Sequence, residues 1–386
     1  IPLVAYTGLE YQLSAIQNNR AIFVLWAITG KLDAPGAIYL NAKGLETPKL
    51  FEIPEDNKPI GVDEFPLFYK FSGLGQFSRF PKAVLEDDPY PVRGLMILGG
   101  SPALSFPDSK SWREAYKKLD CLIVLDRYYT EDARYADVVF PACSLFEVPK
   151  AVSGPEGPHI VEPLITPVGE SKNDVLIMGA IADKLPQTEE ELREWLLSGT
   201  APYAGDFGGG SGKKQERHYK KYETGELRAD GKPGFPTPSG KLEICSTILE
   251  ENGFVPYPEY KDIRSIPELA GEEYTFTMTS GARSNNRMGV FGANLDGITA
   301  IEPYPLVDIC AEDAKEIGIE DGDMVKVTTP FANGTFKAKI RGIARHAIHI
   351  PHGGGSAYMS EPWKHGNVND LCSLDYADPM TGFVLI

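Results

Sequence analysis

Residues 94–142 read GLMILGGSPALSFPDSKSWREAYKKLDCLIVLDRYYTEDARYADVVFPA. Three short apolar runs, GLMIL (94–98), CLIVLD (121–126) and VVF (138–140), are spaced by polar stretches rich in helix formers. The first run closes on Gly99-Gly100-Ser101-Pro102. A helix then begins near Asp108, with Ser111 and Glu114 at the S-x-x-E spacing of a capping box and WREAYKKL following. The second run ends in Asp126, with a helix seeded near Thr130. This β-α-β-α-β alternation predicts a parallel sheet with right-handed crossovers, completed by a helix over about 173–184.

Working outward, residues 11–29 carry Leu13, Ile16, Arg20, Val24 and Ala27 at helical spacing, with Gly30 as C-cap. Residues 31–90, rich in Pro, Gly and Asp, read as an irregular excursion. Residues 205–240 hold glycines, charges and prolines with almost no aliphatics, the pattern of an exposed linker and a domain boundary. Beyond it YTFTMTS (274–280), DMVKVTT (323–329) and TFKAKI (335–340) alternate as strands do. Asp321-Gly322 supplies a turn before one strand and Asn333-Gly334 a hairpin signal before another. AEDAKEIG (311–318) reads as a short helix among them. The C-terminal part therefore predicts a β-barrel with a helix laid into it.

Composition narrows the function. The 386 residues carry a formal net charge of −16 and a pI near 4.9. A duplex nucleic-acid binder needs a basic face, so nucleic acid is excluded as a partner. An acidic chain still binds an anion locally through backbone N–H groups and a few arginines. No run of 18 apolar residues exists, so no membrane insertion is expected. Five widely spaced cysteines (Cys121, Cys143, Cys245, Cys310, Cys372), with no CxxC pair, predict buried reduced thiols rather than a disulfide framework or zinc ribbon. The chain opens on Ile1 and an apolar IPLVAY run, as a processed or truncated piece would, which leaves the compartment open between cytoplasm and periplasm.

The order and wording of these segments resemble the C-terminal half of the dimethyl sulfoxide reductase family of molybdopterin oxidoreductases. The marks are LGGSPALSFPD (98–108), LIVLDRYYTEDARYADVVFPA (122–142), PTPSGKLEI (236–244), TSGARSNN (279–286), AEDAKEIGIEDGDMVKV (311–327) and HGNVNDLCSLDYADPMTG (365–382). Six marks in the family's order and spacing carry far more weight than a lone Gly-Gly-Ser-Pro turn. The resemblance implies an α/β fold: a Rossmann-like parallel-sheet domain over 1–204, a linker over 205–240, and a β-barrel of double-psi type over 241–386. It implies bis-molybdopterin guanine dinucleotide with molybdenum or tungsten as cofactor. The family's N-terminal part, with its [4Fe–4S] site and metal ligand, has no counterpart here, so no catalytic or metal-ligating residue is named and the chain alone is expected to be inactive. Expected partners are that N-terminal region and an iron–sulfur electron-transfer subunit. Two other readings stay open: a cofactor-free structural subunit of an electron-transfer complex, and a standalone cofactor carrier.

The resemblance also directs the site residues. Gly99 and Gly100, with Ser101 and Pro102, leave a strand end bare so that backbone N–H groups approach a pyrophosphate. Asp126 accepts hydrogen bonds from ribose or guanine. Thr130 either caps the next helix or turns its hydroxyl to the nucleotide, and Asp137 packs against the strand end as an Asx-type turn. The family pattern Thr-Glu-Thr-Ala is Thr-Glu-Asp-Ala here, and the added Asp132 charge argues against phosphate at that position. Ser280, Gly281, Arg283 and Asn285 follow as a loop over the pterin phosphates. Asn367 and Asn369 offer amides to a pterin edge. His346, His349 and His352 recur every third residue, but on a strand positions 346 and 349 face opposite sides, so they are not assigned to a metal.

Overall fold

The computed structural model describes residues 7–40, 58–154, 157–182, 185–198, 218–271, 273–281 and 295–385. It divides into two compact units, one of Ile1–Arg79, Glu216–Thr277 and Ser373–Ile386, the other of Phe80–Gln215 and Met278–Cys372.

The second unit contains two main sheets. In the first, β1 (Gly94–Leu98), β2 (Cys121–Asp126) and β3 (Val138–Pro141) pair in parallel in that order, with Leu98 opposite Leu125 and Asp126 opposite Pro141. Both crossovers cover one face. Helix Ser109–Lys118 brings Trp112 and Tyr116, and the short 3-10 turn Asp132–Arg134 brings Ala133, onto Ile97, Leu122 and Val124. Phe80 stacks on Trp112 at 5.4 Å between ring centroids. The helix is capped by Asp108, whose carboxylate accepts the Ser111 N–H at 3.2 Å; Ser111 sits inside the first turn and is not the cap. The helix thus starts where it was expected, near Asp108, while the S-x-x-E pair lies inside it and forms no capping box at its start. The predicted helix at 173–184 is real and shorter, Asp174–Gly179, capped by Asn173. Asp137 makes no Asx turn; its carboxylate accepts the Leu122 N–H at 2.7 Å and pins β3 to the start of β2.

A hairpin, β4 (Lys150–Gly154) with β5 (Gly157–Val161), follows. The second sheet contains β6 (Thr277–Ser280), β7 (Leu306–Ile309), β8 (Met324–Thr328), β9 (Asn333–Ile340) and β10 (Ala347–Ile350), in the order β6-β10-β7-β9-β8. β7 and β9 run parallel; β10 with β7 and β8 with β9 are antiparallel. Alternate residues Val307, Phe336 and Ile350 point to one side and close a core with Val368 and Leu371. Asn333 and Gly334 lie within β9, opposite Thr328 and Val327, so the turn they were expected to form is made by 329–332 instead. Helix Ala311–Ile317 ends at Gly318, whose φ of +74° is the left-handed cap conformation.

The first unit packs helix Ala15–Ile28, helix Pro66–Ser72 and helix Thr247–Glu251 around Leu67, Leu249 and Met380. Residues 66–86, read as irregular, hold two short helices, Pro66–Ser72 and, in the second unit, Phe80–Glu86. The described end of the linker is also not solvated throughout. Lys221, in the one-turn helix Lys221–Thr224, is 1% exposed and pairs with Asp33, 0% exposed. All five cysteines are free, yet only Cys310 and Cys372 are buried; Cys121 and Cys245 are exposed and Cys143 lies between. No helix among the described residues is long and apolar enough to cross a membrane.

Candidate functional site at the ends of the parallel strands

β1 runs out at Leu98, and Gly99 turns the chain with φ +60°, a conformation that side chains with a Cβ rarely adopt. The Gly99 N–H donates to Leu125 O at 2.8 Å, so it continues the sheet instead of facing a ligand. The N–H groups of Gly100 and Ser101 make no hydrogen bond among the described residues. A Cβ built on Gly99 would meet nothing within 4 Å, and one on Gly100 would meet only Ile97 at 3.9 Å. The turn is therefore open on the side a ligand would occupy, with two donors uncommitted. Pro102 then starts helix Pro102–Ser105.

Beside it, at the tip of β2, Asp126 is half-buried. Its Oδ1 accepts the Tyr128 N–H at 3.0 Å, closing an Asx turn, while Oδ2 accepts nothing among the described residues. Two groups that sequence reasoning missed share this end of the sheet: Arg127 and Asp174. Desolvation raises the Asp174 carboxyl, Arg127 opposes that rise, and Asp126 adds to it. The signal for Asp174 was available, because a helix starting after β3 must begin at the same end of a parallel sheet.

Thr130 is buried and accepts the Ala133 N–H at 3.4 Å, which is the capping role. Asp132 is fully buried and points into the protein. It accepts from the Ser101 hydroxyl, from Ala103 N–H at 3.1 Å and from Tyr116 Oη at 2.8 Å. Burial raises its carboxyl, with these hydrogen bonds opposing. The worry that its charge repels a phosphate is thus replaced by a different role: Asp132 holds the far side of the Gly-Gly-Ser-Pro turn.

The late asparagines reach the short helix that follows this turn. Asn367 Nδ2 donates to Leu104 O at 3.3 Å and to Ser109 Oγ at 3.1 Å, and its Oδ1 accepts the Asn369 N–H at 3.1 Å. Its amide is committed within the protein. Asn369 Nδ2 donates to Leu104 O at 2.7 Å, but its Oδ1 is buried without a partner. Ser280, at the end of β6 before Gly281, likewise has a buried hydroxyl without a partner. Trp112 Nε1, Asp308 Oδ1 and His349 Nε2 are buried without a hydrogen-bond partner in the same way; buried polar atoms are nearly always bonded, so Asn369 Oδ1 and Ser280 Oγ are each open to a further partner, water included. Arg283 and Asn285 lie outside the described residues. His346 precedes β10 with φ +56°, and His349, on β10, takes its Nδ1 contact from Thr279 Oγ1 at 3.0 Å. Among the described residues no three His, Cys, Asp or Glu side chains gather as metal ligands.

Two family models match. The molybdopterin oxidoreductase model covers residues 17–184, and the molydopterin dinucleotide binding domain covers 278–384. The chain belongs to the molybdopterin oxidoreductase family. Its curated relatives include dopamine dehydroxylase of Eggerthella lenta, 26% identical over 97% of this chain and 47% of that protein. Another is the probable oxidoreductase YoaE of Bacillus subtilis, 30% identical over 80% of this chain and 44% of its own length. The chain spans about half the length of these relatives. Among solved structures, acetylene hydratase from Pelobacter acetylenicus superposes with a TM-score of 0.67 at 20% identity, over 85% of this chain and 51% of that one; this likeness concerns the fold. Both halves of the sequence thus carry the family's stamp, and the second is a dinucleotide-binding domain by its own model.

Proposed function

We propose that the chain is the C-terminal portion of a molybdenum- or tungsten-dependent oxidoreductase and holds the guanosine end of a molybdopterin guanine dinucleotide at the tips of β1 and β2. The observation that carries the reading is the open Gly99–Ser101 turn beside an Asp126 carboxylate with one oxygen uncommitted. The residues present fit such a group. The Gly100 and Ser101 N–H groups form a small anion nest for phosphate. Asp126 Oδ2 accepts from guanine N1–H and N2–H, a donor pair that adenine lacks. Asn369 Oδ1 and Ser280 Oγ remain for polar atoms of the pterin end, to which Gly281, Arg283 and Asn285, next in the sequence after Ser280, are also assigned. The five-stranded sheet is read as part of a double-psi barrel covering that end. When bound, the group supplies two-electron redox chemistry through its metal. This chain's own residues bind it, orient it and keep its phosphates neutralised without a cluster of lysines. The [4Fe–4S] site, the metal ligand and the substrate pocket are assigned to the family's N-terminal part, and electrons pass to an iron–sulfur partner.

The test is nucleotide binding by the isolated chain. GDP is expected to bind more tightly than ADP by about tenfold, the discrimination of about 1–3 kcal/mol that a two-donor edge contact gives. Asp126→Ala should remove the preference and leave residual affinity from the turn. Equal affinity for the two nucleotides in the parent chain would sink the assignment.

A further inference from the structure

The second unit holds a cleft of about 520 Å³ where the crossovers after β1 and β2 meet strand β9 and the segment 355–370. That volume falls within the ~300–1,000 Å³ of small-molecule sites. The Gly99–Pro102 turn, Asp126, Ser280 and Asn369 do not line it, so it is a different place from the one given to the cofactor. Its walls are fastened to each other. Arg113 Nη2, on helix Ser109–Lys118, donates to Asp370 Oδ1 at 2.5 Å. Glu131 Oε2 accepts the Ala357 N–H at 3.0 Å, and the Gly355 N–H donates to Trp363 O at 2.8 Å. The cleft is already shaped, so a ligand that enters it has little left to order.

In a chain of net charge −16, this lining carries three cations, Arg113, Arg134 and Lys364, against two carboxylates, Glu131 and Asp370. The acceptors are already taken. Glu131 is 2% exposed, with Oε1 bonded by Arg134 Nη1 at 2.7 Å and Oε2 by Ala357. Asp370 is bonded by Arg113 and by Ser109. The donors are in excess. A guanidinium has five N–H groups in a fixed fork, and among the described residues Arg113 commits only Nη2 and Arg134 only Nη1. Lys364 gives one contact, at 2.6 Å, to Glu361, whose side chain is 76% exposed. The carboxylates, satisfied from within, aim the guanidinium groups. The Tyr135 ring, its centroid 5.8 Å from the Arg134 guanidinium carbon, gives that side chain a second support. What this wall lacks is acceptors, and a ligand rich in anionic oxygens supplies them.

We propose that this cleft is a binding site for a small polyanion, whose phosphate or carboxylate groups take the free edges of Arg113 and Arg134 together with the Lys364 ammonium. Phosphate and carboxylate share the paired-oxygen geometry that an arginine fork meets. A group with one charge engages one of the three cations; two or more charged groups engage them together. The site stands on the cleft and its donors and does not rest on the guanosine reading.

The test follows the backbone amide resonances of Gly334, Gly355 and Ala357, which line the cleft, in the isotope-labelled chain. Inorganic pyrophosphate and citrate are titrated at constant ionic strength, with acetate as the monoanion control. A saturable shift at these amides is expected with at least one polyanion, about tenfold tighter than with acetate or better, as a second charge-assisted hydrogen bond gives. The tighter of the two probes identifies phosphate or carboxylate as the group the cleft takes. Lys364→Gln should weaken that binding about tenfold, the loss of one such bond. Arg134→Gln should do the same, but it leaves the buried Glu131 unpaired and so disturbs the fold. Lys364 has an exposed partner, so its variant keeps the parent melting temperature and is the deciding one. No saturable shift at these amides, shifts confined to others such as Gly100, equal affinity for acetate, or binding indifferent to Lys364→Gln would each overturn the proposal. The preference for GDP over ADP should be unchanged in Lys364→Gln, which tells failure here from failure of the cofactor reading.

Discussion

Asp33→Ala is expected to lower the stability of the first unit by about 3–5 kcal/mol, the cost of removing one partner from a buried ion pair. Asp33 Oδ1 takes the Lys221 ammonium at 2.5 Å and the Leu40 N–H at 3.1 Å, and Oδ2 takes the Lys221 N–H at 2.7 Å. The ammonium also lies 3.8 Å from the centroid of the Tyr39 ring. Without Asp33 the charge and two backbone donors are left in a place water scarcely reaches. The companion variant makes the test sharp. Asp33→Asn with Lys221→Met removes both charges, and asparagine tolerates the φ of +46° found at this position. It should recover most of the loss in a urea titration. Equal losses in the single and double variants would show that the pair's charges are not what matters. The pH dependence has a definite sign. Burial alone would raise the Asp33 carboxyl, but the bonds from Lys221 and Leu40 outweigh it and hold it below the ordinary range. The stability it contributes is therefore complete at neutral pH and is lost as pH falls below the ordinary aspartate range and through the depressed folded value.

The second large effect is expected at Asp132. Asp132→Ala strips a partner from the buried Ala103 N–H and Tyr116 hydroxyl and from Ser101, and at about 1–3 kcal/mol for each of the two buried donors the loss is roughly 2–6 kcal/mol. It also frees the turn that carries Gly100, so GDP affinity should fall along with the melting temperature. Asp132→Asn keeps an acceptor for Ala103 and should restore much of both. A variant with full GDP affinity and a lowered melting temperature would show that the turn holds its shape unaided. Here the pH sign is reversed. Because burial raises this carboxyl, the native state holds its proton more tightly than the unfolded chain. Its contribution declines as pH rises from the ordinary aspartate range through the raised value, opposite to Asp33.

These two residues also show what the sequence revealed and what it hid. β1 and β2 were legible to the residue, since a short apolar run bounded by Gly or Asp has few alternatives. That the Gly99–Pro102 turn and Asp126 lie at neighbouring strand ends was legible for the same reason. Asp132 was noticed only as a charge, because nothing local shows that Ser101 and Tyr116 come round to meet it. Lys221 sits in a run of polar residues, and only the fold reveals that one of them is inside. Asn333-Gly334 has turn chemistry, yet the Thr328–Asn333 and Val327–Gly334 pairings carry it into β9. At Asp132 and Lys221 a contact distant in sequence overrode a local preference; at Asn333-Gly334 a neighbouring strand pairing did.

The bond from Asn369 to Leu104 has a consequence in time. Its two ends are separated by 265 residues. At the ~5–20 residues per second of synthesis, on the order of 10–50 s pass between the making of Leu104 and the arrival of the amide that bonds its carbonyl. For that interval the nascent α/β sheet has its strands, while the Leu104 carbonyl lacks the amide that bonds it in the finished fold.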